Sequence, residues 1–430
     1  MDAEKQPTQV LENLLFPKIF QAFRMAIQPS KLIIAFLAIA VICLAGWIMD
    51  FSNSVVVDSD GSTELQVYIN TPDSFQELIK VSQEDTPPQL TGVFSTVWHF
   101  AAGRFHGAAG SLIVLDLQGV KANIIGCFRA VKWALTYHPL YCIIFGIIKL
   151  VVLSIAGGAI CRIAALQLAR DEKPGLGEAL RYGREKFLSF FTAPLAPVGI
   201  MAFTGVCIYL LGLIGNIPRV GELIMAIFMI LALLAGALIA IVLIGTVVGF
   251  NLMFPAVAYD GSDCFDAISR SFSYIYSKPW RMGFYTVLAA VYGAICYLFV
   301  RLFAFLLLIA PYTVLRIGIF NNSKLVRIWA RPEFGNLLGS GAASANWTES
   351  VAGFLVYLLM LAVIGLLASF IISFYFSANT IIYSLLRNKM DNVALEDIYS
   401  DLDETIIEPT DVESESKESK PEPKSKKKKD

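Results

Sequence analysis

The sequence predicts an all-α polytopic protein, a transmembrane helical bundle of about six spans with amphipathic interfacial helices and internal repeats. Three observations predict it. First, 56% of the 430 residues are hydrophobic and only 16% are charged, against about a quarter charged in soluble domains. Second, six apolar runs, at 32–49, 139–165, 192–214, 222–258, 282–310 and 351–386, approach or exceed the roughly 20 helical residues that cross a bilayer. Third, one module recurs. A long apolar run meets an acidic stop, a short helix with one apolar face follows, and a new run begins.

Residues 1–31 are read as an N-terminus with an interfacial helix. Phe16, Ile19, Phe20, Phe23 and Ile27 fall on one face, with Lys18, Gln21 and Arg24 off it, the pattern of a helix lying in the membrane surface. The run at 32–49 is the first span, too long and too late for a signal peptide. Residues 50–138 form an extracytoplasmic block. In it, 64–69 alternates like a short strand, whereas 74–83 and 92–106 read as helices. The stretch 117–135 carries Val120, Ile124, Phe128, Val131 and Leu135 on one stripe. Residues 139–386 form a five-span membrane domain with repeated helix-turn-helix modules. An amphipathic cytoplasmic helix is expected over 387–402. The acidic then lysine-rich tail over 403–430 has no apolar face and reads as disordered.

The clearest copy of the module is 254–280. Asp260 stops the apolar run, Gly261-Ser262-Asp263 supplies helix-start oxygens, and Asp266 is a first-turn acid. Phe265, Ile268, Phe272 and Ile275 then recur at helical spacing. An earlier copy has Asp171 as the stop, Glu178 as the acid, and Leu176, Leu180, Gly183, Phe187 and Phe190 as the face. A weaker third has Asp391, Glu396, Leu395, Ile398 and Leu402. Internal duplication explains the echo; the alternative is the common grammar of membrane connectors. A helix over 222–258 would be about 55 Å long at 1.5 Å per residue. That exceeds the roughly 30 Å hydrocarbon core, so the long helices are expected to project on one side, where the modules form a collar. A break near Gly245 or Gly249 is the competing reading.

Candidate chemistry is sparse. Lys149 lies about eleven residues into its run, about 16 Å deep, and Arg301 lies inside another. Intramembrane charges mark function unless they snorkel to the interface, so Lys149 and Arg301 are the candidate intramembrane polar site. Asp171, Glu178, Asp260, Asp266, Asp391 and Glu396 are candidate module positions. Seven scattered cysteines contain no CxxC pair and read as buried small apolar residues. His99 and His106 lie two helical turns apart without an obvious ligand set. No catalytic, cofactor-binding or metal motif is found. Basic residues flank the spans mostly on one side, which places both termini in the cytoplasm.

The order long span, Asp-Gly turn, SRSFSYIYSKPWR helix, Tyr-rich span resembles a family of poorly characterised bacterial multi-span proteins. It is similar to the membrane domain that accompanies some glycerophosphodiester phosphodiesterases. The resemblance covers roughly 139–386 and implies a helical bundle in a bacterial inner membrane; the chain has no phosphodiesterase domain to carry that activity. The expected function is non-enzymatic, a scaffold or lipid- and partner-interacting protein without cofactor. A transporter or permease component using Lys149 is the alternative. Expected partners are the bilayer, anionic lipids through the basic tail, and proteins the sequence does not name. Nucleic acid is not expected at a net charge of −1.

Overall fold

The computed structural model describes residues 16–52, 54–57, 61–70, 75, 89–319, 322–339 and 346–399. A 3-10 turn, Phe16–Phe20, leads into α1 (Gln21–Ala26) and α2 (Pro29–Met49). The next elements are β1 (Val55–Val57), α3 (Glu64–Asn70), β2 (Gln89–Thr91), α4 (Val93–Ile113) and α5 (Leu117–Tyr137). Then come α6 (Pro139–Arg170), α7 (Leu176–Glu185), α8 (Phe187–Gly215), α9 (Gly221–Asp260), α10 (Cys264–Ser277) and α11 (Pro279–Gly318). Two more, α12 (Asn322–Ile328) and α13 (Trp347–Asp391), complete the described helices. Six of them, α2, α6, α8, α9, α11 and α13, are long and apolar enough to cross a membrane. The protein is an integral membrane helical bundle.

Local chemistry explains where these helices start and stop. Pro29, Pro139 and Pro279 stand in the first turn of α2, α6 and α11, where a missing N–H costs nothing. The three longest-buried helices, α6, α9 and α13, end in left-handed residues: Asp171 (φ 54°), Gly261 (φ 63°) and Asn392 (φ 54°). This is the common way to close a helix. The three modules therefore align on Asp171, Gly261 and Asn392. Asp260 and Asp391 fall one residue earlier, where the first copy has Arg170. Pro255 and the Gly245–Gly249 pair leave α9 unbroken, so the break considered there does not occur.

α6, α9 and α13 pack against one another, and their C-terminal halves form the main core. Ile160, Val257 and Ile381 lie fully buried there. Each long helix carries a short helix folded back on it, α7 on α6, α10 on α9 and α1 on α13. The span that follows each short helix then packs on the next long helix: α8 on α9, α11 on α13 and α2 on α6. The contacts form a closed cycle of three units. The third unit is assembled from the two ends of the chain, with α13 supplying the long helix and α1–α2 the short helix and the span.

Several expectations change in this packing. The 3-10 turn and α1 bury Ile19, Ala22, Met25 and Ala26, the turn against α11 and α13 and α1 against α13, while Phe20 and Ile27 face out. Residues 64–69 form helix rather than strand. Leu65 and Val67 are buried against Trp133, and the Glu64 carboxylate accepts the Trp133 indole N–H at 3.3 Å and the Val56 amide at 3.4 Å. That packing overrides the alternating pattern. The strand is instead Val55–Val57, antiparallel to Gln89–Thr91 with Val56 opposite Leu90. In α5 the predicted stripe looks outward at Ile124, Phe128, Val131 and Leu135, and Gly126, Ala130, Trp133 and Ala134 are buried. No helix forms over 392–399. α13 absorbs residues to Asp391, and an irregular strap follows. Most of 74–83, residue 402 and the acidic and basic tail lie outside the described residues.

Candidate lipid-facing cleft

Two polar assemblies hold the bundle, and between its helices runs an apolar cleft. The first assembly closes the collar. Asp260 is buried at the end of α9; its Oδ2 faces Arg270 at 3.1 Å and accepts from the Tyr383 hydroxyl. Its Oδ1 faces Arg387 Nε at 3.0 Å, an ion pair too bent to be a hydrogen bond. The strap lies across this cluster. The Tyr399 amide donates to the Tyr259 carbonyl at 3.1 Å, and Arg162 donates to the Tyr399 carbonyl at 2.9 Å and to Ala258 O at 3.1 Å. Lys186 donates to Gly261 O at 3.0 Å. The charge pair with Asp260 and the hydrogen bond with Asp266, 2.9 Å away, raise the Arg270 pKa against the opposing effect of desolvation, the largest single contribution.

The second assembly centres on Arg301, which is buried rather than anchored at an interface. Its guanidinium donates to Phe334 O at 2.8 and 3.1 Å, to Gly335 O at 3.0 Å and to the Tyr297 hydroxyl at 2.8 Å, and meets His106 Nδ1 at 3.1 Å. Arg301 thus ties α4 and the 334–335 loop to α11. Burial, and then the Arg301 charge, push the His106 pKa down.

The cleft lies between these assemblies. α8 packs on α6 and α2 on α13, but α11 stands off α9. A cavity of about 520 Å³ occupies that gap, between Val247 and Val248 of α9 and Met282 and Gly283 of α11, with Ile275 and Tyr276 of α10 at one end. A second cavity of about 460 Å³ continues it along α11 and α13 and is roofed by Phe105 and Leu112 of α4. Small residues, Ala289, Ala290, Gly293 and Ala294, keep the α11 wall low. Asn251 and Thr286 line both cavities. The Asn251 carbonyl oxygen accepts from Tyr375; among the described residues its NH₂ group has no partner. No charged side chain lines either cavity.

The structure does not bring Lys149 and Arg301 together. Lys149 is exposed on α6 and lines neither cavity. Of the module positions, Asp260 and Asp391 join the collar cluster, Asp391 accepting from Tyr274 at 2.5 Å. Asp266 pairs with Arg270. Asp171 closes α6, and Glu178 in the first turn of α7 and Glu396 in the strap are exposed.

Sequence reasoning passed over Lys31, treating it as a flanking charge. It is fully buried, and its Nζ donates to Gln167 Oε1 at 3.0 Å and Ser377 Oγ at 3.4 Å. Among the described residues no carboxylate pairs with it. The signal was available, since Lys31 shares its face with Ile34, Ala35 and Ala38, all buried. Asn251 and Arg162 were also passed over, both inside apolar helical runs. No family model, curated protein or solved structure matches the chain. The resemblance to the phosphodiesterase-associated membrane domain therefore rests on the residue pattern alone.

Proposed function

We propose that this integral membrane protein is a non-enzymatic, lipid-interacting scaffold of a bacterial inner membrane, with both termini cytoplasmic. One observation carries the reading: the uncharged cleft along α11, partly open and lined by Phe374, Ala290 and their neighbours. A space of several hundred Å³ with apolar walls and a few polar groups is the usual form of a small-molecule site. Within the spans, the medium at such an opening is acyl chain. The transport alternative leaned on Lys149, and that residue lines neither cavity.

Two measurements test the proposal. Protein purified in a mild detergent should retain phospholipid, quantified by mass spectrometry after exhaustive washing. Retention no greater than that of an unrelated six-span control would remove the lipid reading. Reporter fusions at the two ends should both report cytoplasm, because the basic residues preceding α2 and following α13 lie on the same side if the span count is even. Opposite locations would mean an odd count.

A further inference from the structure

We infer that the α9–α11 cleft binds one anionic phospholipid, its acyl chain along α11, its ester region at Asn251 and Thr286, and its phosphate at Lys278 and Arg281. This rests on the lipid reading above and assigns it a site and a headgroup charge.

The molecule supplies its own comparison. In two of the three units the span packs directly on its long helix, and only in the α9–α11 unit is it held away. The opening is long. Its α11 wall runs from Pro279 to Tyr297, and eighteen residues at 1.5 Å give about 27 Å. That is well over half of the roughly 30 Å hydrocarbon core, enough for a chain and the head it hangs from. The walls match a chain because they carry no charge, and the low Ala-Gly surface of α11 leaves room for one.

Polarity then changes along the path in the order a phospholipid requires. At the α10 end Pro279 and Met282 line the opening, and Lys278 and Arg281 stand beside them in the sequence. Among the described residues neither pairs with a carboxylate, while Trp280 between them is 89% exposed, a usual residue at the headgroup level. Eight residues on from Lys278, about 12 Å by rise, Thr286 lines the cleft from α11, and Asn251 lines it from α9. A lysine stem and a phosphoglycerol together bridge that interval. The unspent Asn251 NH₂ is a donor among apolar walls, where an unmet polar group is costly. An ester carbonyl would meet it.

The test uses full-length protein purified in mild detergent, with total lipid and the anionic-to-zwitterionic ratio measured by mass spectrometry against the source membrane. Wild-type protein should be enriched in anionic phospholipid. K278A/R281A should reduce that enrichment at least threefold, and R181A/R184A, a basic pair on α7 that lines neither cavity, should leave it unchanged. Asn251→Leu, which keeps the number and branching of side-chain heavy atoms but removes the amide, should halve total retained phospholipid or reduce it further. A290W should do the same by filling the wall, and N251L decides the point where A290W does not purify as a single species. Lipid retained without anionic preference, or equal enrichment in K278A/R281A and wild type, would overturn this site while leaving the lipid reading intact. Equal loss in R181A/R184A would also overturn it, because the collar as a whole would then attract the anion. Absence of retained lipid in wild type would remove both.

Discussion

Asp260→Ala should be among the most damaging single substitutions in the collar. The Asp260 side chain is only 5% exposed and faces two guanidinium groups, Arg387 at 12% and Arg270 at 37% exposure. Removing one member of a buried ion pair costs roughly 3–5 kcal/mol, because the partner's charge stays buried. Two features place the expected loss near the low end. Arg387 retains the Asp397 carbonyl at 2.6 Å, and Arg270 retains Asp266 at 2.9 Å. Arg270 is also partly in water, where a pair is worth about 0–1 kcal/mol. We therefore expect about 3 kcal/mol for Asp260→Ala and under about 1 kcal/mol for Asp266→Ala. Unfolding in mixed detergent and SDS, followed by tryptophan fluorescence, reads both. Asp260→Ala combined with Arg387→Ala should cost less than the sum of the two, with a coupling of about 0.5–3 kcal/mol. Additive effects, or an Asp260→Ala loss below about 1 kcal/mol, would refute the claim that a buried charge pair closes the collar.

Phe272→Asp should destabilise far more than Ser273→Asp. Phe272 seats on Gly245, where a Cβ would stand 2.9 Å from its ring, and burying such a side chain is worth about 1.5–3 kcal/mol; Ser273 is exposed. Equal shifts in the same detergent titration would disprove the seating. For His106, burial and Arg301 depress the folded-state pKa below the ordinary value of 6.5. The sign follows from linkage. The unfolded chain takes up the proton first as pH falls below about 6.5, so stability is full above that value and is lost until the folded form also protonates. Site-resolved labelling of an Ala108→Cys variant, taken as a ratio to a free thiol at each pH so that the fall in thiolate cancels, should speed up from pH 7 to pH 5, and His106→Gln should abolish the acceleration; a pH-independent ratio in the parent Cys variant would count against the Arg301–His106 contact. The lysine-rich tail should bind anionic vesicles with roughly 1 kcal/mol per lysine near the surface. Deleting 424–429 from a tail peptide should weaken binding at low salt, and binding unaffected by salt would exclude that mode.

The spans were legible because a bilayer demands long apolar helices and tolerates little else. The helix ends were legible for a similar reason: leaving an apolar helix takes polar residues that suit water, beside a residue that tolerates the left-handed region, here Asp171, Gly261 and Asn392. Which face of each short helix is buried was harder to read. Phe265 is exposed while Ser271 is fully buried, because α10 lies on the glycines of α9 rather than on a uniform apolar slab. The cleft was invisible in the sequence. Its walls come from 105–120, 244–251 and 275–297, with 370–382 behind them, and its existence depends on one helix standing off another, which no local pattern encodes. Lys31 was misread because a charge at the edge of an apolar run usually belongs to the interface; its acceptors, Gln167 and Ser377, lie far along the chain.

The split third unit sets an order on biogenesis. α1 and α2 leave the ribosome first, yet the long helix they lie on is the last to be made. From Met49 to the start of α13 at Trp347 is nearly three hundred residues. At about 5–20 residues per second the first span waits roughly 15–60 s for its partner. Through that interval Ser377, one of the two acceptors holding Lys31, does not yet exist, and α2 lacks its α13 partner. A chain truncated before α13 would leave the α13 side of α2 uncovered and Lys31 with Gln167 alone, a mark by which a membrane protease could tell an unfinished copy from a finished one.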